Sequence, residues 1–544
     1  MIKRTLNYGL LFFLIALSAS IYKLYLISGQ TFSPDFYNTH DQRLFASLAN
    51  EILKGHWLGT YDRLTLTKPP FYPLWLALIH ILHLPLMLAN HLLYISACAL
   101  FVLAIKPLFS NAKLTFIYLL LLFNPYSYDF NYALGFMSES IYPTLTMLVI
   151  SSAIGLWVRS IQNNKANIPW ATFLGFTLAA FWTTRIESPW ILPFIFSLIV
   201  PLIVLMKGYV REILKIILIP LAICTFLVGS VAYVNRVNYG VFTTCDLDSK
   251  EFQTAYGELL RVKQDNFNID TPLPRKIRLT IIPFSPSLTK IEPYLEELEK
   301  NDTYTHQGEI KGPAIVHMLR WSVESAGYYH HYKEAAVFYK NLSDEINTAC
   351  TSGELRCYER NTGFLPAWQN KYIHIFYQHF KEYLCYVSQF NNLDPWPPQE
   401  NVDKYSIQLF ENLSGPKFIF SHRSGLTLTK ISDNDKRKIT VLQSIGNIWH
   451  QIITPLILLA GIAYILMLCS FLRTKKDTTE LIIATSILIA LLTRILLTAF
   501  SATFLWPLPR HLSAVNPLLL MFIPFVLIMA GKIIYCGIFR QKPQ

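Results

Sequence analysis

Residues 33–79 form a polar segment whose side chains are of the types that could do chemistry. The ionisable candidates in it are Asp35, Asp41, Asp62 and Lys68. The segment directly follows an apolar run, from about Tyr8 to Ile27, that is long enough to cross a bilayer. Because hydrocarbon does not tolerate so many polar groups, we expect the segment to lie outside the membrane and to carry the reaction.

Three further polar clusters interrupt or flank apolar runs: NPYSYDFNYALGFMSES, TTRIESPW and WPLPRH. Their ionisable residues are Asp129, Glu139, Arg185, Glu187, Arg510 and His511. An ionisable group at the end of a membrane helix is costly unless it is paired, solvated or used, so each is a candidate site residue. Arg185 and Glu187 could instead be an interfacial pair, and Arg510 could extend towards lipid phosphates.

The composition is typical of a polytopic α-helical membrane protein. Of the 544 residues, 52% are hydrophobic, 14% are aromatic and only 15% are charged. The net charge of +12 falls largely in short connections between apolar runs and forms no basic stripe or tail. It therefore indicates the positive-inside bias of membrane proteins, and no nucleic-acid partner is predicted.

Ten apolar runs are predicted to cross the membrane. They lie at about 8–27, 88–105, 114–128, 138–157, 168–184, 188–206, 214–234, 448–472, 479–502 and 511–535. The basic connections then share a side with Lys3 and Arg4, which predicts cytoplasmic termini and polar clusters on the opposite side. A shorter run, Phe71 to Leu86, is bounded by prolines. If it crossed the membrane, every later basic connection would move to the opposite side and the charge bias would be broken. We expect an interfacial helix there, with a short crossing as the alternative.

Residues 235–446 differ from the rest of the chain. They contain most of the acidic residues, stretches of helical periodicity and no run long enough to span a bilayer. The predicted organisation is a transmembrane module over 1–234 with an outward loop at 28–70, a mainly helical extracytoplasmic domain over 235–446, and C-terminal transmembrane helices over 447–544.

The extracytoplasmic domain holds four cysteines: Cys245, Cys350, Cys357 and Cys385. In an oxidising compartment they could pair in three ways, and the short CTSGELRC spacing makes Cys350 with Cys357 the easiest loop to close. Buried free thiols are the alternative. Neither CxxC nor a Cys/His ligand spacing occurs, so no zinc site is predicted.

The order of the motifs resembles that of the GT-C superfamily of membrane glycosyltransferases, in the branch of the protein O-mannosyltransferases and lipid A aminoarabinose transferases. The motifs are LANEILKGHW, KPPFYPLWLALI, NPYSYDF, MSESIY, TTRIESPW and, more loosely, LPRHLSAVNPLLLMF. The resemblance covers roughly the first 210 residues and the last three predicted membrane helices. It does not extend to the large domain.

This resemblance implies an inverting transfer of a sugar from a polyprenyl-phosphate donor to a glycan, lipid or protein, with Asp41 at the position of the catalytic base. A fixed carboxylate can take the proton of an attacking hydroxyl group. The leaving phosphate gains negative charge, and Lys68, Arg185 and Arg510 are the cations available to hold it. The residues expected to support the site are Asp35, Asp62, Asp129, Glu139, Glu187 and His511.

The chain departs from the family where related loops often carry an acidic pair, because Asp41 is followed by Gln42. A divalent metal held by two carboxylates therefore has no clear ligand set here, and no cofactor is predicted to be required. The predicted partners are membrane lipids and the lipid-linked sugar donor.

Two other functions stay open at this point. A lipid or solute carrier is disfavoured because the sequence shows no internal repeat. The other is a scaffold that has lost catalytic residues and binds a partner through residues 235–446. The Asp41-Gln42 pair is compatible with this function. The family branch favours a bacterial inner membrane, whereas acceptor patterns at Asn301, Asn341 and Asn412 are compatible with an endoplasmic-reticulum lumen.

Overall fold

The computed structural model of the protein describes residues 2–30, 39–129, 132–265, 267–300, 305–390, 393–396, 413, 432–504 and 509–539. In this part of the chain the fold is all-α apart from one short antiparallel hairpin, as the composition and periodicity predict. Asn301 and Asn412 lie outside the described residues, and Asn341 lies within a helix.

The apolar helices are α1 (Ile2–Ile27), α3 (Phe71–Ile81), α4 (Leu86–Ile105), α5 (Asn111–Leu122), α6 (Tyr142–Asn163), α7 (Ile168–Trp182), α8 (Leu192–Leu205), α9 (Val210–Tyr239), α16 (Asp433–Thr474), α17 (Thr478–Phe504) and α18 (Val515–Phe539). The remaining helices are α2 (Thr39–Leu53), α10 (Lys250–Arg261), α11 (Arg275–Ile281), α12 (Pro286–Glu299), α13 (Gly312–Ser325), α14 (Tyr332–Thr351) and α15 (Tyr372–Gln389). Strands β1 (Thr305–His306) and β2 (Glu309–Ile310) form the hairpin.

Among the described residues, 8 segments are long and apolar enough to cross a membrane, so the chain is a multi-pass membrane protein. These segments, with the shorter helices α5 and α7, occupy the ten runs that the sequence predicts. Helix α5 ends at Leu122 and not near residue 128. The reason is local: Asn124 accepts a hydrogen bond from the Ser127 backbone N–H, and Pro125 begins a 3₁₀ turn there.

Helix α16 is the longest element, with 42 residues. At 1.5 Å per residue it spans about 63 Å, roughly twice the hydrocarbon thickness of a bilayer. It begins at Asp433, where the Ser432 side chain accepts a hydrogen bond from the Asp435 backbone N–H, so the apolar run predicted at about 448–472 is the later part of a longer helix. The last part of the predicted 235–446 domain is therefore continuous with a membrane helix.

The run predicted to lie in the interface contains the short helix α3. It has 11 residues, so it is about 16 Å long and too short to cross a bilayer core by itself. Its first backbone N–H, at Phe71, donates to the Thr183 carbonyl at 3.0 Å. This contact brings the segment that follows Lys68 against the end of α7.

The large domain and the polar segment after α1 share one hydrophobic core. Leu48, Leu58, Tyr61 and Leu66 of the polar segment are buried in the same cluster as apolar side chains of α10 to α14. Helix α15 is different, because Tyr383 and Val387 on it join the core of the membrane helices. The loop and the large domain thus pack against each other around one core.

The cysteines differ in state. Cys350 and Cys357 are joined by a disulfide with a sequence separation of 7, the pairing that their spacing favours. Cys245 and Cys385, also candidates for pairing, are free. Cys245 is buried, and its thiol donates a hydrogen bond to the Thr67 carbonyl at 3.4 Å, so its role is to pack beside the polar segment.

Candidate active site

Charged side chains from five separate segments of the chain form one continuous network of ion pairs where the membrane helices meet the large domain. In order along the network they are Lys68, Asp41, Arg510, Glu139, Arg185, Glu187 and Arg494. The sequence singles out six of these seven residues as candidates, and it gives no indication of which would touch which.

Asp41 lies at one end of the network, in the first turn of α2. Its Oδ2 atom is 3.3 Å from Lys68 Nζ and 3.6 Å from Arg510 Nη2. The side chains of Asp41 and Lys68 are each 29% exposed, so this end is open to solvent. Desolvation raises the pKa of Asp41, but the charges of Lys68 and Arg510 outweigh it and hold that pKa below its ordinary value.

Glu139 and Arg185 form the interior of the network. Glu139 is 3% exposed, and its Oε1 atom lies 2.7 Å from Arg185 Nη1 and 3.5 Å from Arg510 Nε. Arg185 also donates from Nε to Glu187 Oε1 at 2.6 Å. Arg185 therefore pairs with two carboxylates at once, and Arg510 bridges the open and the buried parts of the network.

Arg494 closes the network and is the residue that the sequence reading missed. It lies inside α17, is 2% exposed, and its Nη2 atom is 3.2 Å from Glu187 Oε1. It also donates to the His511 carbonyl from Nε at 3.0 Å and from Nη2 at 2.7 Å. The available signal was an arginine in the middle of a long apolar run, a position where a charge requires a partner.

Short turns at the ends of the membrane helices position three of these groups. Glu139 lies in the 3₁₀ turn Ser138–Ser140 before α6, and Glu187 directly precedes the turn Ser188–Ile191 before α8. Arg510 lies in the turn Pro509–Leu512. A proline occurs in or beside these turns, at Pro143, Pro189 and Pro509, and its missing N–H favours the first residues of a helix or turn over an interior position.

Several predicted supporting residues lie outside the network. Asp62 instead stabilises a local turn, since its Oδ1 accepts from the Leu64 N–H at 2.7 Å and the Thr65 N–H at 2.8 Å. Asp129 is buried and accepts from the Asp394 N–H at 2.7 Å. His511 contributes its carbonyl oxygen, which Arg494 contacts. Asp35 lies outside the described residues.

Gln42, the residue that replaces an expected second carboxylate, is buried, and its Oε1 accepts a hydrogen bond from the Phe136 N–H at 3.3 Å. It therefore holds the segment before Glu139 against α2. Across the described ranges, no group of three or more His, Cys, Asp or Glu side chains is arranged to hold a metal ion.

Helix α13 of the large domain holds the polar segment in place. Arg63 Nη1 is 2.5 Å from Glu324 Oε2, and the Arg63 carbonyl accepts from Arg320 at 3.0 and 2.6 Å. Arg320 also pairs with the buried Asp246 at 3.0 Å. Lys68, five residues after Arg63, therefore follows directly from a fixed stretch of backbone.

A large apolar groove lies beside the network, among α6, α7, α8 and α9. Its volume is about 720 Å³, within the range of sites that bind small organic molecules. Trp182 and Ile191 line one end, and these two residues flank the segment that carries Arg185 and Glu187. Phe196 and Leu221 also line the groove and are exposed on the surface, by 58% and 56%, so it opens sideways towards the surroundings of the helices.

Comparison with known proteins gives distant similarities in structure. No protein-family model matches the chain, and no curated protein sequence matches it. Archaeal oligosaccharyltransferase AglB from Archaeoglobus fulgidus, solved with an inhibitory peptide and a dolichol-phosphate, is 11% identical with a TM-score of 0.40, over 97% of this chain and 52% of that one. ArnT from Cupriavidus metallidurans, solved with undecaprenyl phosphate, is 12% identical with a TM-score of 0.32, over 99% of this chain and 81% of that one. The chain thus spans about half the length of AglB, and its similarity to both structures is distant.

Proposed function

We propose that the protein is an inverting glycosyltransferase that moves a sugar from a polyprenyl-phosphate donor to a hydroxyl group of a glycan, lipid or protein. The observation that carries this proposal is the open end of the ion-pair network, where one carboxylate lies between two cations. A lipid-accessible apolar groove lies beside the same network, next to the segment that carries Arg185 and Glu187. A lipid with an anionic head and a long apolar tail matches both features.

In the proposed reaction, Asp41 is the general base. The acceptor oxygen forms a bond to the anomeric carbon while the bond from that carbon to the phosphate oxygen breaks, which inverts the configuration. The proton of the acceptor passes to the Asp41 carboxylate, and the electron pair leaves with the polyprenyl phosphate. The support is that Asp41 is partly exposed and is held in the ionised form by its two cations.

Lys68 and Arg510 are the proposed contacts of the donor phosphate. They are the more exposed cations of the network, with side-chain exposures of 29% and 21%, against 12% for Arg185 and 2% for Arg494. Preorganised cations stabilise the charge that develops on a leaving group. Arg185 and Arg494 would instead keep Glu139 and Glu187 in place behind them.

The groove is the proposed site of the donor's apolar tail. Its lining is almost entirely hydrophobic, as expected for a prenyl chain that binds by burial of apolar surface. Its end at Trp182 and Ile191 flanks Arg185 and Glu187, and from there the network leads through Glu139 to Arg510, one of the two proposed phosphate contacts.

The test is turnover by the purified full-length protein in lipid nanodiscs. Undecaprenyl-phosphate esters of mannose, glucose and 4-amino-4-deoxyarabinose are supplied with a membrane extract as acceptor, and released undecaprenyl phosphate is measured by mass spectrometry. We expect release from at least one donor above a heat-inactivated control. Binding of undecaprenyl phosphate without release from any of the three would favour the carrier alternative.

A further inference from the structure

Helix α15 carries exposed apolar side chains that belong neither to the candidate active site nor to the core of the large domain. Ile373 and Tyr377 are 61% and 62% exposed, and Leu384 is 39% exposed. They are separated by four and seven positions in the chain, and residues at these spacings lie on one face of a helix. The helix thus presents an apolar row, formed by these three residues, to its surroundings.

The apolar row lies between two different sides of α15. On one side, Tyr383 and Val387 are buried in the core of the membrane helices. On the other side, Gln378, Lys381 and Glu382 are exposed. At about 100° per residue, the apolar row falls between these two groups around the helix axis. A helix whose sides are buried, apolar and polar in turn is typical of one that lies in the plane of a membrane interface.

Both ends of α15 contact membrane helices close to side chains that face lipid. At its beginning, the ring of Tyr372 lies 5.4 Å from the ring of Phe504, the last residue of α17. Near its end, the Thr454 hydroxyl of α16 donates to the Ser388 carbonyl at 2.8 Å. Leu458, one turn after Thr454, is 65% exposed on the same apolar helix. Helix α15 therefore lies where the exposed apolar surface of the membrane helices begins.

We propose that α15 lies in the interface of the bilayer, with the apolar row among the lipid acyl chains and the polar side in water. The partner is lipid because the apolar row continues the lipid-facing surface of α16, and because an aromatic side chain such as Tyr377 favours the boundary between hydrocarbon and water. A second copy of the chain fits less well. Three partly exposed side chains supply far less than the roughly 800 Å² on each side of a stable protein interface.

This contact with lipid lies beside the candidate active site. Helix α15 also contacts the turn Pro509–Leu512, which carries Arg510. The bilayer then supports, through α15, the turn that positions Arg510. The inference goes beyond the proposed glycosyl transfer and does not depend on it, since it concerns where a helix lies and not which reaction takes place.

The first measurement uses a nitroxide label at a single cysteine of the full-length protein in nanodiscs of phosphatidylethanolamine and phosphatidylglycerol. All cysteines outside the disulfide, except the buried Cys98 and Cys245, are first replaced by Ala. Labels on Ile373→Cys and Leu384→Cys should collide more often with oxygen dissolved in the bilayer than with a water-soluble nickel chelate.

The matched control keeps Cys385, which is next to Leu384 in the chain but exposed on the polar side of α15. A label there should collide more often with the nickel chelate than with oxygen. If the labels on the apolar row also collide mainly with the nickel chelate, the row faces water and the proposal is overturned. If protein shields them from both reagents, a second copy or another segment covers the row, and the proposal is overturned as well.

The second measurement is hydrogen exchange of α15 and of the turn Pro509–Leu512 in the same nanodiscs. Ile373→Glu places a charge among acyl chains, so both segments should exchange roughly tenfold faster than in the wild type. In water the same change would favour the helix, because a carboxylate near a helix N-terminus is stabilising. Gln378→Glu adds the same charge on the polar side and should leave the exchange unchanged. Equal exchange in the two variants would overturn the proposal, whether or not the protein releases undecaprenyl phosphate from any donor.

Discussion

The protein contains two kinds of ion-pair cluster, and they differ in whether solvent can reach them. In the large domain, Arg278 is 0% exposed and pairs with Glu292 and Glu299, which are 6% and 7% exposed. In the network between the membrane helices and the domain, Asp41, Lys68 and Glu187 are each 29% exposed. Both clusters satisfy their charges, but only the second could exchange a partner for a ligand.

The difference shows what burial does to a charged group. A sealed cluster stabilises a particular packing, and removal of one partner leaves an uncompensated charge in the interior. An open cluster is less costly to disturb, since water can solvate the group that remains. Exposure therefore separates charges that hold the fold from charges that are available for binding and chemistry, although the residue types are the same.

The largest effect on activity should follow from Asp41→Asn. The amide keeps the shape of the side chain but cannot accept the acceptor's proton, so turnover should fall by roughly 10²- to 10⁴-fold while the fold and donor binding persist. Glu51→Gln, at a carboxylate of the same helix that is 30% exposed and pairs with Lys54, is the matched control and should be fully active. Unchanged turnover in Asp41→Asn would show that the catalytic base is not at this end of the network.

The largest effect on stability should come from the sealed cluster. Arg278→Met leaves Glu292 and Glu299 buried without their cation, and we expect a loss of about 3 to 5 kcal/mol in the opening free energy of α11 and α12, measured by hydrogen exchange. Arg275→Met removes a neighbouring pair with Glu296 that is 49% and 38% exposed, and it should cost about 1 kcal/mol or less. Equal losses in the two variants would contradict the distinction between sealed and open clusters.

Loss of the disulfide should have an intermediate effect on stability, and this effect should be confined to the large domain. Replacement of both Cys350 and Cys357 by Ala opens a loop with a sequence separation of 7. The chain-entropy argument gives a loss of about 2 to 3 kcal/mol. Hydrogen exchange of α14 should measure this loss of stability. The control is Cys385→Ala, which replaces a free and exposed cysteine. Binding of undecaprenyl phosphate should not change, and a loss of binding would show that the domain and the site are more tightly coupled than their exposures indicate.

The smallest effect should come from a single cation at the open end. Lys68→Gln removes one charge-assisted contact to phosphate, worth about 1.5 to 3 kcal/mol, so undecaprenyl phosphate should bind roughly 10- to 150-fold more weakly in nanodiscs. Lys54→Gln, at a lysine of the same segment that is 52% exposed and pairs with Glu51, should bind normally. If Lys68→Gln binds undecaprenyl phosphate with wild-type affinity, the phosphate is held by Arg510 and Arg185 and not by Lys68.

The sequence by itself determined the features that depend on local pattern. Apolar runs of bilayer length predict the membrane helices, because burial in hydrocarbon depends on the composition of each run. The Cys350–Cys357 pair follows from short spacing. Charges at the ends of apolar runs marked Glu139, Arg185, Glu187 and Arg510, and the polar segment after the first helix marked Asp41 and Lys68. These signals need no knowledge of the distant parts of the chain.

Only the tertiary structure decided which charges meet. Asp62 and Asp41 belong to the same polar segment, yet one stabilises a turn and the other faces two cations. Arg494, inside an apolar helix, pairs with Glu187, which lies about 300 positions earlier in the chain. Such contacts depend on how helices distant in sequence pack together. The cost of burying a charge predicts that each must find a partner, but the fold alone determines which partner it finds.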